Sequence, residues 1–263
     1  MDFLEKPGDT ISLTFGDAGE NHAGMEMIGE RANNGDGFNM EDLAIIADKL
    51  KEIGIVCELY DLRELVEDQE TEKLEEAGVL VIRGFLEKDM ADAGFLEQLS
   101  FEWDRKYYDI RRGKVLNKHA RANVCFGIEG QNPDYENKKG RIVAFKKMPI
   151  LLSIYEKIKE ICGEKAERMI CEGNKYDNIE KNGIGWHGDA ERRKVICVRL
   201  GKTMSMCFRW YHKCKPIGKV LELGLNNGDL YIMSEKAVGY DWKKRNSYTL
   251  RHAAGAQKYT KTI

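Results

Sequence analysis

The chain has 263 residues, 42% of them hydrophobic, enough for one large domain or two small ones. A net charge of −2 and a pI of about 6.3 exclude a global field that favours polyanions, so any nucleic-acid contact must come from a local patch. Seven scattered cysteines with no CxxC pair argue against a disulfide framework or a cysteine zinc site and fit a reducing, intracellular setting.

No apolar run approaches the length of a membrane span, so no membrane association is expected. The opening MDFLEKPGDT lacks the basic and apolar regions of a signal peptide. Residues 10–16, TISLTFG, read as a buried strand. Residues 17–38 are rich in glycine, asparagine and charge and read as a long loop, with His22 as an incidental member. Leu43, Ile46, Ala47, Leu50 and Ile53 make an amphipathic stripe that predicts a helix over 40–53, ended by Gly54. Strands are expected over 55–59 and 79–82, with charge-rich helical sequence over 61–77 between them. This β-α-β-α-β order predicts a small α/β unit over residues 1–86 with a mostly parallel sheet.

Residues 87–263 form the second part. Between Arg105 and Arg121 the chain carries Lys106, Arg111, Arg112, Lys114 and Lys118 interleaved with Tyr107, Tyr108 and His119. Charge for phosphate and π-faces for stacking are what a single-stranded nucleic acid or a flipped base needs. Pro149 opens a predicted helix whose apolar stripe, Leu151, Leu152, Tyr155, Ile158 and Ile161, marks it as support for a core.

The most informative stretch is Cys171–Glu191, CEGNKYDNIEKNGIGWHGDAE. In a strand, residues i and i+2 share a face, so His187 and Asp189 project together with Gly188 between them. That is two thirds of a 2-His-1-carboxylate set, which suits Fe(II) with open positions. Asn174 and Tyr176 form a second i, i+2 pair, and strand-like runs follow at 195–201, 204–210 and 228–233.

These segments, NKYDNIEKNGIGWHGDAERR, VICVRLG, MCFRW and GDLYIM, resemble the catalytic core of the AlkB-like Fe(II)/2-oxoglutarate dioxygenases over roughly the last hundred residues. The resemblance implies an α+β protein with a double-stranded β-helix (jelly-roll) core. It implies oxidation of a C–H bond coupled to decarboxylation of 2-oxoglutarate by O2. It places iron on His187 and Asp189 and 2-oxoglutarate on Asn174 and Tyr176. Glu191 completes a D-x-E pattern that in some members touches the substrate base. The first substrate expected is an N-methylated nucleobase, with Trp186 and Trp210 as candidates to stack on it and Arg121 as a phosphate contact. Alternatives are a protein or small-molecule hydroxylase of the same chemistry, and a catalytically decayed binding protein.

The third metal ligand and the 2-oxoglutarate cation admit two registers. In the preferred one, SYTLRHA is the seventh core strand with His252 as ligand, QKYTKTI is the eighth, and Lys258 or Lys261 pairs with the distal carboxylate. In the other, Arg245-x-Ser247-x-Thr249-x-Arg251 resembles the R-x-N-x-T-x-R strand of AlkB proteins, and Arg245 and Arg251 bind 2-oxoglutarate. No histidine lies at 234–246 to complete the triad in that register. Neighbours on a strand face opposite ways, so Arg251 and His252 are not both expected in the site.

Overall fold

The computed structural model describes residues 9–67 and 72–261 of the chain. The protein is a mixed α+β structure dominated by a large, mainly antiparallel sheet. Its strands are β1 (Thr10–Gly16), β2 (Ala18–Glu20), β3 (Met27–Gly29), β4 (Cys57–Asp61), β5 (Gly78–Ile82), β6 (Lys106–Asp109), β7 (Lys114–Asn117), β8 (Ala122–Gly127) and β9 (Ile142–Ala144). They continue with β10 (Ile170–Tyr176), β11 (Gly183–His187), β12 (Val195–Gly201), β13 (Met204–His212), β14 (Lys215–Leu225), β15 (Leu230–Met233) and β16 (Thr249–Gly255). Eight strands form one sheet in the order β4-β5-β15-β12-β1-β10-β8-β9, and four form a second in the order β11-β16-β13-β14. β2–β3 and β6–β7 are separate hairpins. Among the described residues only β8–β9 pairs in parallel.

Alternation decides the layers. Ile11, Leu13 and Phe15 of β1, and Ile196, Val198 and Leu200 of β12, join the apolar cluster that three helices cover. These are α1 (Met40–Glu52), α2 (Lys88–Leu99) and α3 (Pro149–Cys162). The intervening residues Val195 and Cys197 belong to a second cluster, which takes in Met206, Phe208 and Trp210 of the small sheet. The large sheet is therefore covered by helices on one face and by the small sheet on the other. Each layer buries the apolar stripe the other exposes.

The helices start and stop for local reasons. Asn39 and Asp42 cap α1 reciprocally, each side chain accepting the other's backbone N–H at 2.8 Å. Gly54, at φ 80°, follows its end. Pro149 occupies the first turn of α3, and Glu97 of α2 accepts the free N–H groups of Ile150 and Leu151 at 2.8 and 2.9 Å.

From β10 to β16 the chain moves between the sheets, with β10, β12 and β15 in the large one and β11, β13, β14 and β16 in the small one. The place between β10 and β12 is filled by β1, antiparallel to both. β1 is buried on both faces, which requires a central position.

Several sequence expectations are corrected. β1, β4 and β5 do not make a parallel sheet of their own: they sit in the eight-stranded sheet, and β4–β5 and β5–β15 pair antiparallel. A parallel βαβ unit needs a crossover helix, and in 61–77 the described residues form only one 3-10 turn, Leu62–Leu65, while part of that range lies outside them. The expected strand over 55–59 is displaced to β4. The loop over 17–38 contains the β2–β3 hairpin. The described part of QKYTKTI, residues 257–261, does not form an eighth strand: Gly255, at φ 92°, ends β16, and a short helix α5, preceded by α4 (Glu235–Val238), follows over Gln257–Thr260, while residues 262 and 263 lie outside the described residues. Among the described residues no helix is long and apolar enough to cross a membrane.

Candidate metal centre

A cavity of about 340 Å³ opens between the two sheets. On the small-sheet side, His187 at the end of β11 is the cross-strand partner of His252 in β16. A register shift between Ile184 and His187 re-aims the end of β11. Asp189 follows in the turn, where its N–H donates to Val238 O at 3.0 Å. A Cβ on Gly188 would lie 2.2 Å from Gly239 O, so this turn requires glycine. Asp189 Oδ1 lies 3.5 Å from His187 Nε2 and 3.6 Å from His252 Nε2. The ligand atoms of the three side chains all lie within 4.8 Å of one another, a group that could hold a metal ion.

The electrostatics suit a cation. His187 Nδ1 sits 2.7 Å from Gly185 O, which fixes the proton on Nδ1 and turns the Nε2 lone pair into the cavity. Burial, reinforced by His252, lowers the His187 pKa to about 3, so the ring is neutral at neutral pH. Burial alone would raise the Asp189 carboxyl; Arg192 and His252 more than reverse this and hold it well below the usual range. Burial and the nearby Asp189 charge push Glu191 up to about 7.

The opposite wall is one face of the large sheet. Asn123, Asn174, Ser12 and Arg199 are successive cross-strand partners on β8, β10, β1 and β12. Asn174, Ser12 and Arg199 line the cavity, with Glu172, Thr14, Tyr176 and Tyr231 beside them. Arg199 is 1% exposed, and among the described residues its Nε and Nη1 have no hydrogen-bond partner. A buried guanidinium with open donors is costly unless something anionic meets it. Arg121 Nε donates to Asn174 Oδ1 at 2.7 Å, and Asn123 Nδ2 bonds the same oxygen.

The mouth is formed by Glu20, Asn21, His22 and Ala23 of the first hairpin, with Arg121, Glu191, Trp242 and Lys243. The His22 and Tyr107 rings stack with centroids 3.7 Å apart. Lys118 Nζ donates to Asn21 Oδ1 at 2.6 Å. These contacts tie the β2–β3 hairpin to the β6–β7 hairpin.

The structure thus brings together His187, Asp189, His252, Asn174, Tyr176, Glu191 and Arg121. It leaves out others. Trp210 is buried in the core with its indole N–H on Leu62 O at 2.8 Å, and Trp186 donates to Thr260 O at 3.2 Å beside Tyr211. Arg251 faces away from the cavity, its guanidinium 4.1 Å from the Tyr211 ring centroid and 5.2 Å from that of Trp242, as a neighbour of an inward His252 must. Arg245 is exposed ahead of β16. Lys258 and Lys261 are exposed on and after α5, and neither lines the cavity. Of residues 105–121, Arg121 alone among the described residues lines it.

Arg199, Arg192, Glu20, His22, Ser12 and Thr14 are site residues that the sequence reading did not select. His22, read there as incidental, lines the mouth. An arginine inside the apolar strand VICVRLG, and the alternation of Thr10, Ser12 and Thr14 with Ile11, Leu13 and Phe15, were the available signals.

No model of a known protein family matches the chain. The chain is 41% identical over 254 residues to "Uncharacterized protein R156" of Acanthamoeba polyphaga mimivirus, a match that covers 96% of this chain and 98% of that protein. At that identity, over nearly the full length of both, the chain belongs to the same family as this mimivirus protein.

Proposed function

We propose that the protein is an Fe(II)/2-oxoglutarate-dependent dioxygenase built on a double-stranded β-helix. The alternation of β10–β16 between two facing sheets supports that architecture, with β1 as the eighth strand supplied from the N-terminal side. The observation that carries the function is the pairing, in one cavity, of the His187–Asp189–His252 group with the unpartnered Arg199. Two imidazoles and a carboxylate fit a divalent iron with open positions. A guanidinium across the cavity fits the distal carboxylate of a co-substrate whose other end chelates that metal. Bound iron, 2-oxoglutarate and O2 would supply the oxidation of a substrate C–H bond coupled to decarboxylation.

The chain's own residues then have separate tasks. Arg199 pairs with the distal carboxylate, and Ser12, Asn174 and Tyr176 offer polar atoms along its length. The two sheets exclude water from this floor. Glu191, His22, Trp242 and Arg121 face the incoming substrate at the mouth. An N-methylated nucleobase, single-stranded or flipped, is the proposed target, with the basic hairpin β6–β7 along its backbone.

A second reading keeps the chemistry and changes the target to a protein side chain or small molecule. It is favoured by a mouth that mixes Glu20 and Glu191 with Arg121 and Lys243. A third reading, a catalytically decayed binding protein, rests on the missing histidine at 234–246; the grouping of His252 with His187 and Asp189 speaks against it.

Anaerobic addition of Fe(II) and 2-oxoglutarate to the whole protein tests the chemistry through the weak visible charge-transfer band of the chelate. A band in the wild type that is lost in His252→Ala and Arg199→Met is the expected result. No band in the wild type would overturn the dioxygenase reading.

A further inference from the structure

Arg192 is the most enclosed cation around Asp189, 3% exposed and met by three carboxylates. Its Nη2 bonds Glu172 and, at 3.0 Å, Glu191 Oε1. Its Nε lies 3.2 Å from that Glu191 oxygen and 3.7 Å from Asp189 Oδ2. Asp189 is thereby divided: Oδ1 faces the two histidine Nε2 atoms, and Oδ2 faces the guanidinium. The arginine stem is enclosed as well. A Cβ on Gly16 of β1 would sit 3.4 Å from Arg192 Cδ, so the stem runs against the backbone there. Glu172 is anchored in β10 between Thr14 and Cys125 of the flanking strands.

We propose that Arg192 is the positioning residue of the metal site: by engaging Asp189 Oδ2 it leaves Oδ1 alone for the cation, so Asp189 ligates through one oxygen. The protein then contributes three donor atoms and leaves the other positions for co-ligands. A carboxylate free to turn presents both oxygens and closes one of those positions. Glu172 and Glu191 keep the fork in place, and Lys, a point charge on a flexible stem, does not reproduce it. The inference rests on the metal-site part of the reading above and is independent of iron and 2-oxoglutarate.

The test is Co(II) titration of the whole protein in wild type, Arg192→Lys, Arg192→Met and the double variant Arg192→Met/Glu172→Gln, with thermal denaturation of each apo form. Loss of an outer partner lowers metal affinity by roughly 10–100-fold, and that loss is expected in Arg192→Met, with a smaller one in Arg192→Lys. Both are expected to change the intensity of the visible Co(II) bands, which report donor number. The double variant removes a buried charge together with its partner, so stability recovers while affinity does not. Unchanged affinity and bands in both single variants would overturn the proposal, as would affinity that recovers along with stability in the double variant. A wild type that binds Co(II) no better than His187→Ala would overturn it together with the metal site. Tight Co(II) binding with the expected Arg192 effects, but no Fe(II)/2-oxoglutarate band, supports the proposal and removes the dioxygenase reading alone.

Discussion

His252 stands directly across the β11–β16 pair from His187, the two ring centroids 4.4 Å apart and the ring planes at 69°. Side chains alternate along a strand, so a slip of one residue in β16 would turn His252 outward and bring Arg251 in. The ladder on the other side of β16 fixes the choice: Phe208 pairs with His252 and Arg209 with Arg251. Substituting His252 is therefore expected to remove a metal ligand, and substituting Arg251 to remove only packing on Tyr211 and Trp242. His252→Ala should weaken Co(II) binding by more than the roughly 10–100-fold cost of an outer partner, while Arg251→Ala leaves it unchanged. Equal losses in the two variants would place the register elsewhere.

Arg199 leads to an opposed pair of effects. Two of its donors have no partner among the described residues, at a cost of about 1–3 kcal/mol for a buried unsatisfied group. Arg199→Met fills similar volume without charge. The apo melting temperature is expected to rise, by about 2–4 °C per kcal/mol in a chain of this size, while 2-oxoglutarate binding is lost. Lys258→Ala and Lys261→Ala, neither of which lines the cavity, should leave that binding unaltered. Differential scanning calorimetry with and without 2-oxoglutarate measures both halves. A fall in apo stability would mean that Arg199 is satisfied by its surroundings.

Much of this site lay open in the sequence because its key signals are local. His187-Gly188-Asp189 needs only the two-residue period of a strand, and α1 and α3 need only the helical period and their caps. The place of β1 was hidden because it is a matter of long-range pairing: β1 lies more than 150 residues before β10, yet sits between β10 and β12. The expectation of an eighth strand and a cation beyond His252 points to Lys258 and Lys261. Arg199, the cation proposed above, lies instead in the middle of the strand-like run 195–201, which the sequence reading did not search for a charge. Trp186 and Trp210 show the converse error. Aromatic residues near a motif suggested a platform, but the inward period of β13 puts Trp210 between the sheets.

Trp210 should accordingly behave as core. It is fully buried and its indole N–H is satisfied by Leu62 O. Trp210→Ala is expected to cost about 3–5 kcal/mol in urea unfolding. Metal affinity in the residual folded protein should be that of the wild type. A selective loss of substrate binding without loss of stability would restore a place for it at the site.

His22 gives the site mouth a pH dependence of its own. Burial lowers its pKa from 6.5 to about 4, and Lys118 and Arg121 add repulsion against a charged ring. Above pH 6.5 both folded and unfolded chains hold it neutral, and it contributes nothing to the slope. Between pH 6.5 and 4 the unfolded chain binds a proton that the folded chain refuses, so stability falls as pH falls, by up to about 1.4 kcal/mol per pH unit. His22→Phe keeps a ring against Tyr107 and removes the titration. Urea unfolding of wild type and His22→Phe at pH 7, 6 and 5 should show curves that separate below pH 6.5, with the variant flatter. Parallel curves across that range would mean that the ring is free to charge, and that the contact between the two hairpins is open to water.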